Sequence, residues 1–321
     1  MRIVNLVENT EGLSCCRAEH GLCFYIETKK HKILMDTGQS DLLIENAKKL
    51  GVDLTKVDIA FLSHGHYDHS DGILPFAKIN STARIYIKAD AFGDYYSTNY
   101  GDEPKFIGID KSIRDLEQVE VIDGNVEIDD ELSVFAGIGY DNPAPLTNKR
   151  LFKKEDGELI NDDFAHEQCL VIKQDGKTYL FSGCAHHGVL NVLDRYKELY
   201  GDDPDYVFSG FHTMRKSGNY TDEDKAYIEN TAEQLKSYKS KFYTCHCTGV
   251  EPYEMMKNIL GDKIDYIHCG DSVEVFECDT ATSTRTVVKK SGGSSMKWHK
   301  FFAWATVCCF IMCMITGYKR K

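Results

Sequence analysis

Two features that are typical of secreted proteins are missing from this 321-residue sequence. Residues 1–4 are not followed by the longer apolar stretch of a signal peptide. The 12 cysteines show no even spacing, and three of them lie in one apolar run near the C-terminus, so the sequence indicates no disulfide framework. We therefore expect a reducing compartment in which most thiols remain free.

Basic side chains are scarce in most of the chain. Residues 1–278 hold 30 Lys and Arg against 49 Asp and Glu, a net charge of −19. Such an acidic body repels phosphate backbones, so nucleic acid is disfavoured as a partner. Residues 279–321 differ, because eight Lys and Arg and one Asp give them a net charge of +7. This asymmetry marks the C-terminal end as a separate region.

Strand-like and helix-like patterns alternate through residues 1–278, and no repeat of solenoid length is seen. The predicted strands are 23–28, 33–35, 57–62, 83–88, 170–173, 178–181, 206–208, 242–244 and 273–276. The predicted helices are 189–200, 222–238, 251–260 and one that Ser40 caps and that ends near Leu50. Residues 91–130 are polar and irregular, which predicts a surface insertion. The alternation indicates one layered α/β domain over 1–278.

The clearest chemical signal follows the predicted strand at 57–62. His64, His66 and His69 lie within six residues, with Asp68 among them. In a loop that leaves a strand, these side chains can converge on one or two ions. Imidazole and carboxylate ligands suit Zn²⁺, Fe²⁺ or Mn²⁺, whereas Ca²⁺ prefers oxygen ligands alone. An exposed histidine-rich loop is the alternative, but the apolar strand before the cluster favours a metal site.

Four further positions at predicted strand ends carry ligand-type side chains. Asp36 follows the strand at 33–35 and can orient a metal-binding histidine by accepting a hydrogen bond from its other ring nitrogen. An ordinary turn aspartate is the alternative. His186, His212 and His246 also follow predicted strands, and each by itself fits a buried structural histidine. Because several strand ends carry such side chains in one chain, we predict that they meet at one site.

The run from residue 64 to residue 69 matches the HxHxDH signature, so the chain resembles the metallo-β-lactamase superfamily. Within it, the chain resembles the 7,8-dihydropterin-6-methyl-4-(β-D-ribofuranosyl)aminobenzene-5′-phosphate synthase-like branch. The other matching segments follow one another in the family's order through residues 1–278. They are Glu19-His20-Gly21-Leu22, Leu34-Met35-Asp36-Thr37-Gly38, Glu167-Gln168, Gly183-Cys184-Ala185-His186, Gly210-Phe211-His212 and His246-Cys247-Thr248-Gly249.

This resemblance implies an αββα sandwich with two divalent metal ions at one edge. It implies that one ion is held by His64, His66 and His186. It implies that the second ion is held by Asp68, His69 and His246. His187 and His166 are rivals to His186 for the first ion.

The resemblance also raises a question about Cys184. Most members of the superfamily have a bridging Asp where this chain has Cys184, which is therefore a candidate bridging thiolate or a cysteine that merely lies near the site. The chain also lacks the Gly-His-Thr-x-Gly type of motif found in thioesterase relatives. That absence argues against thioester hydrolysis.

Two adjacent divalent ions make hydroxide available at neutral pH and can clamp a phosphate or pyrophosphate. Zinc is the first expectation, with iron or manganese as alternatives. Asp68 is the expected proton carrier, and His212 is a candidate donor to the substrate. We therefore expect a hydrolase or transferase that acts on a small anionic, pterin-like substrate.

Two other functions are weighed against this one. A di-iron oxidoreductase is disfavoured because no flavodoxin-like domain accompanies the site. A membrane-tethered metal-binding scaffold without turnover is disfavoured because the ligand set is complete.

The end of the chain predicts a membrane anchor. Residues 279–300 are rich in Thr, Ser, Gly and Lys, which predicts a flexible linker. Residues 301–317 carry no charge, and as a helix they would span about 25 Å, near the thin end of bilayer thickness. We predict one transmembrane helix at 301–318, a basic end at 319–321, and post-translational insertion with the catalytic domain facing the cytosol. A buried core helix is the alternative.

Overall fold

A computed structural model describes residues 1–101, 103–276 and 285–289, with the backbone alone for 276 and 285–289. The strands are β1 (Arg2–Val7), β2 (Cys23–Glu27), β3 (Lys32–Met35), β4 (Ile59–Phe61), β5 (Arg84–Lys88), β6 (Tyr95–Ser97), β7 (Lys105–Phe106), β8 (Val119–Ile122), β9 (Val126–Glu127), β10 (Leu132–Phe135), β11 (Leu151–Glu155), β12 (Glu158–Asn161), β13 (Cys169–Gln174), β14 (Lys177–Ser182), β15 (Tyr206–Ser209), β16 (Lys241–Thr244), β17 (Ile264–Tyr266), β18 (Ser272–Phe276) and β19 (Arg285–Lys289). The helices are α1 (Leu42–Lys49), α2 (Tyr67–Ser70), α3 (Ile73–Ile79), α4 (Val189–Tyr200), α5 (Asp222–Leu235) and α6 (Val250–Leu260).

Two large mixed sheets carry the fold. The first has the order β19-β18-β1-β2-β3-β4-β5-β8, and the second has the order β17-β16-β15-β14-β13-β10-β9. Strands β3, β4, β5 and β8 run parallel to one another, as do β14, β15, β16 and β17. The chain must cross over between parallel strands, and most of the helices lie in these crossovers. The carboxyl ends of several strands therefore meet at one edge of the molecule.

Side-chain alternation along each strand divides the core into two parts. On β1, Ile3 belongs to the large core that includes Phe208 of the second sheet, whereas the next residue, Val4, belongs to the core shared with helices α1 and α3. Helices α4, α5 and α6 bury apolar side chains in the large core, among them Leu193 and Met256. The result is the four-layer αββα arrangement that the sequence predicts.

One sequence-based expectation is wrong. Residues 91–130 are not an irregular insertion, because β8 extends the first sheet and β6 and β7 join β11 and β12 in a small third sheet. Within the linker predicted at 279–300, the described residues 285–289 form β19, which pairs antiparallel with β18. In both places short polar or β-branched segments gain backbone partners that lie far away in the sequence, which local composition does not reveal.

Within the described residues, no helix is both long enough and apolar enough to cross a bilayer. The transmembrane helix predicted at 301–318, the basic end at 319–321 and most of the predicted linker lie outside the described residues.

A histidine at the far edge of the sandwich joins three turns. His31, between β2 and β3, lies with Nδ1 2.5 Å from Oδ2 of Asp58 and with Nε2 2.7 Å from Oδ2 of Asp129. Burial by itself lowers the pKa of His31, but the hydrogen bonds to the two carboxylates outweigh burial and raise that pKa. The His31 imidazole therefore links the two sheets through its contacts with Asp58 and Asp129.

Candidate metal centre

The ligand-type side chains predicted from the sequence meet at the edge where the strands end. Asp36 follows β3, and the histidine cluster follows β4. On the second sheet, Cys184, His186, His212 and His246 follow β14, β15 and β16. All of these side chains are buried apart from His212, which is half-buried. Both sheets therefore contribute to one site.

Asp36 organises the first-sheet half of the site. Its backbone φ is 57°, so the chain turns sharply as it leaves β3. The carboxylate accepts hydrogen bonds from the backbone N–H of Ser63 at 2.8 Å and from its hydroxyl at 2.7 Å, and Oδ2 lies 2.7 Å from Nδ1 of His69. The Ser63 hydroxyl also lies 2.9 Å from Nδ1 of His64. Asp36 thus orients His69 directly and His64 through Ser63.

His64, His66 and His186 form the first group of candidate ligands. Nε2 of His64 lies 3.3 Å from Nε2 of His186. Phe164 stacks on the His186 ring with the centroids 4.4 Å apart, and Asn148 donates to the His186 backbone carbonyl at 2.7 Å. Burial lowers the pKa of His64 and of His186 well below the usual value, and it lowers the pKa of His66 to about 3. The three imidazoles are therefore neutral, as metal ligands must be.

Asp68, His69 and His246 form the second group, and His20 joins them. Oδ2 of Asp68 lies 3.4 Å from Nε2 of His246 and 3.2 Å from Nε2 of His20. Nε2 of His69 lies 3.2 Å from Nε2 of His246. Burial by itself raises the pKa of Asp68, but the histidines around it outweigh burial and hold that pKa well below the usual value. The carboxylate is therefore ionised.

Residues that follow β1 hold His246 in place. Glu8 accepts the backbone N–H of His246 at 2.7 Å, and Oδ1 of Asn9 lies 2.8 Å from Nδ1 of its ring. Because Asn9 Oδ1 can only accept, Nδ1 carries the proton and Nε2 is left as a free acceptor. His246 has a positive φ of 51°, which turns its side chain back toward the first sheet.

The spacing between these ligand atoms fits metal ions. A tetrahedral ion about 2.05 Å from each of two nitrogens holds them about 3.3 Å apart. The His64–His186 and His69–His246 pairs lie 3.3 and 3.2 Å apart. Nε2 of His66 is buried and has no hydrogen-bond partner among the described residues. The donor set and the spacing therefore suit two divalent ions.

The geometry separates His186 from its two rivals. His166 accepts the Gly65 N–H at Nδ1 and lies 3.1 Å from Asp162 at Nε2, so both ring nitrogens are engaged. Nδ1 of His187 lies 2.6 Å from Glu167, and its ring packs on Tyr140 with the centroids 4.6 Å apart. His187 belongs to none of the candidate ligand groups found in the described residues. His186 is therefore the residue that the fold brings to the first group.

Cys184 and His212 lie beside these two groups. Sγ of Cys184 is 3.3 Å from Nε2 of His69, and burial raises the pKa of the thiol well above its usual value. The His212 ring lies 4.2 Å from the His186 ring, with Nδ1 2.8 Å from the Thr147 hydroxyl. That hydroxyl donates to the His212 backbone carbonyl, so Nδ1 carries the proton and Nε2 is an acceptor. Sequence analysis expects a donor at His212, whereas these hydrogen bonds favour an acceptor.

A cavity of about 460 Å³ opens over the candidate metal centre. His66, Asp68, His186, His212 and His246 line it together with the two cysteines Cys184 and Cys247. Arg150, Arg215 and Lys216 bring positive charge to the wall. Arg215 is paired with Asp224, whereas Arg150 and Lys216 have no carboxylate partner within the described part of the chain. Nζ of Lys216 instead lies 3.5 Å from the centre of the Tyr100 ring.

Several residues of the site are missed by sequence reasoning. His20 could have been recognised from the sequence, because it lies in the segment Glu19-His20-Gly21-Leu22 that carries part of the family resemblance. Phe164 and Asn148, which hold His186, lie in connecting segments without a recognisable pattern. Tyr100 belongs to the region that composition predicts as a surface insertion. These residues reach the site only through tertiary packing.

Comparison with known proteins identifies the class. A family profile described as the Metallo-beta-lactamase superfamily matches residues 16–240. The chain belongs to this superfamily, as its sequence predicts, and it is a metal-dependent enzyme of that fold.

Among its relatives is a synthase from Methanocaldococcus jannaschii, the 7,8-dihydropterin-6-methyl-4-(beta-D-ribofuranosyl)-aminobenzene-5'-phosphate synthase. The chain is 26% identical to it over 296 residues, which cover 85% of this chain and 96% of the relative. The chain is also 27% identical over 276 residues to uncharacterized protein MJ0448 of the same organism, covering 84% and 98%. These matches confirm the predicted resemblance to this branch.

Two solved structures share the fold. One is Tm1679, described as a metal-dependent hydrolase of the beta-lactamase superfamily. It has 26% identity and a TM-score of 0.71, with 86% of this chain and 100% of Tm1679 covered. The other is Zn(2+)-bound PqqB from Methylobacterium extorquens, with 12% identity, a TM-score of 0.51, and 85% and 100% coverage. The second likeness concerns the fold alone.

Proposed function

We propose that this chain is a two-metal enzyme that acts on a small, anionic, pterin-like substrate carrying a phosphate or pyrophosphate. One observation carries the proposal. Members of both groups of candidate metal ligands line a 460 Å³ cavity whose wall also carries positive charge. That combination occurs in a chain that is otherwise strongly acidic. The positive charge at the cavity is therefore a local feature that suits an anion.

Two bound ions would activate a water molecule and polarise a phosphoryl or carbonyl oxygen. The chain's own residues supply the rest. Asp68 is ionised, so it can accept a hydrogen bond from a water molecule and orient it. His212 has an unprotonated Nε2 and can accept a hydrogen bond from the substrate. Asp36 and Asn9 fix the histidine tautomers, which keeps each Nε2 available as a ligand.

The cavity wall supports the choice of substrate class. Arg150 and Lys216 can neutralise a phosphate that lies away from the candidate metal ligands, and Arg is suited to bidentate phosphate contacts. Tyr67 lines the same cavity and offers an aromatic face for a flat heterocycle. Basic side chains for an anionic group and an aromatic face for a ring match the chemistry that the name of the synthase relative describes.

The test separates transfer from hydrolysis. Purified protein is analysed for metal content and is then incubated with a dihydropterin-methyl pyrophosphate, with and without 4-(β-D-ribofuranosyl)aminobenzene 5′-phosphate. Release of pyrophosphate only when the acceptor is present, with a joined product by mass spectrometry, indicates a transferase. Release without the acceptor indicates a hydrolase. Fewer than two ions per chain, or no turnover in a fully metal-loaded sample, would contradict the proposal.

We also propose that residues 301–318 anchor the protein in a membrane with the catalytic domain facing the cytosol. The support is the uncharged run at 301–317 with basic residues on both sides. Carbonate extraction of the full chain and of a 1–295 truncation tests this proposal. The full chain should stay with the membranes while the truncation is released. Release of both would contradict the proposal.

A further inference from the structure

Two thiols face the candidate metal centre from the second sheet. Cys184 follows β14, and Cys247 follows β16 directly after His246. Their side chains are 3% and 5% exposed, and both line the cavity. The ligand atoms of Cys184, His246 and Cys247 all lie within 4.8 Å of one another. This is a sulfur-sulfur-nitrogen cluster of a size that one ion can hold.

Cys184 belongs to two such clusters. It also groups with His64 and His69, and its sulfur is 3.3 Å from Nε2 of His69. One sulfur atom therefore lies within reach of ligands from both halves of the site, which is the place of a ligand shared by two ions.

The backbone around Cys247 is shaped to admit its sulfur. A Cβ atom at Gly210 would lie 2.3 Å from Sγ of Cys247, so a residue with a side chain at position 210 would displace the sulfur. Sγ of Cys247 also donates a weak hydrogen bond to the Cys184 carbonyl at 3.7 Å. Packing alone explains a buried cysteine such as Cys169, which lies within β13. It does not explain two thiols that line the cavity with their sulfur atoms within 4.8 Å of a histidine nitrogen.

We propose that Cys184 and Cys247 are thiolate ligands of the metal centre, with Cys184 shared between the two ions and Cys247 joining His246 on one of them. This inference rests on the proposed two-metal function. On binding, each S–H bond gives way to a sulfur–metal bond, and the proton leaves to solvent. Thiolate ligands favour zinc, iron or cobalt over magnesium and manganese. The centre should therefore select soft or borderline ions.

Cobalt substitution of the full chain tests the proposal, because a thiolate bound to Co²⁺ gives a charge-transfer band in the near ultraviolet. The wild type and the matched control Cys169→Ala should show the band at equal intensity. Cys184→Ala and Cys247→Ala should each weaken it, and the double variant should lose it. In the zinc-loaded wild type, X-ray absorption should find sulfur about 2.3 Å from zinc.

The outcomes distinguish this inference from the proposed function. If two ions bind but the wild type shows neither the band nor sulfur near zinc, the thiolate assignment is wrong and the two-metal function stands. If the band persists unchanged in the double variant, the assignment is also wrong. If no ion binds to the wild type, both proposals fail. X-ray absorption on the wild type decides the matter even where a cysteine variant does not fold.

Discussion

Replacing Asp36 by Asn should weaken metal binding while leaving the fold in place. The wild-type carboxylate only accepts hydrogen bonds, so Nδ1 of His69 carries a proton and Nε2 is free to bind a metal. In the variant, the amide oxygen can still accept the Ser63 N–H, but the amide nitrogen then faces Nδ1 of His69. His69 must move its proton to Nε2, which lies toward His246 and Cys184.

The same change reaches a second histidine. In the wild type, the Ser63 hydroxyl donates to Oδ2 of Asp36, so its lone pairs can accept a hydrogen bond from Nδ1 of His64. In the variant, the hydroxyl faces an amide N–H and donates to Nδ1 of His64 instead. The His64 proton then moves to Nε2, the nitrogen that would bind the metal. Loss of such an orienting partner costs about 10- to 100-fold in metal affinity, or about 1.4–2.7 kcal/mol. We expect the larger value because two ligands depend on Asp36.

Competition with a chromophoric chelator measures the zinc affinity of Asp36→Asn, and nitrogen-detected NMR of the imidazoles reports the tautomers. Glu131→Gln is the matched control, since Glu131 is a buried carboxylate that accepts from Thr28 at the opposite edge. Its zinc affinity should equal that of the wild type. A zinc affinity of Asp36→Asn within about two-fold of the wild type, with the fold intact by circular dichroism, would refute the reasoning.

Three other predictions follow from local geometry. Because the folded-state pKa of His31 is raised, the stability that His31 contributes is complete below about pH 6.5 and is lost as the pH rises through the folded-state pKa. In denaturant titrations, His31→Ala should therefore lose less unfolding free energy over this pH range than the wild type. An equal loss in both proteins would contradict the assignment. A Cβ at Gly183 would lie 2.1 Å from the Ser63 hydroxyl. Gly183→Ala should therefore lower the free energy of unfolding by about 1–3 kcal/mol and reduce zinc occupancy. Thermal unfolding and metal analysis measure the two effects. Phe208 is fully buried, so Phe208→Ala should lower the free energy of unfolding by about 3–5 kcal/mol. The folded fraction of this variant should keep its metal, and loss of metal from folded protein would contradict the prediction.

The sequence predicts those parts of the fold that are defined by their own neighbourhood. Helix α4 begins and ends at the predicted residues, because Gly188 precedes an amphipathic run and Gly201 follows it with φ at 79°. The histidine cluster after β4 is equally local, since its members are five residues apart at most. The candidate ligands of the second sheet could be recognised from the sequence because each lies within four residues of the end of an apolar strand.

The remaining parts depend on contacts between distant segments. Strand β8 is exposed or half-buried along its whole length, and only its pairing with β5 makes it part of a sheet. Asn148 and Phe164 hold His186 from segments that carry no regular pattern. The choice between His186 and His166 could not be made from spacing, because His166 is removed from the ligand set by hydrogen bonds to Gly65 and Asp162.

The contacts of Asn9 and Glu8 with His246 affect the order in which the metal centre assembles during synthesis of the chain. Asn9 and His246 are 237 residues apart. At about 5–20 residues per second, a ribosome needs roughly 10–50 s to add that length of chain. During this interval β1 has no β18 to pair with, and only the first ligand group can assemble, since His186 is synthesised well before His246. We expect nascent chains to acquire one ion first and to complete the centre only when the last strands close on the first.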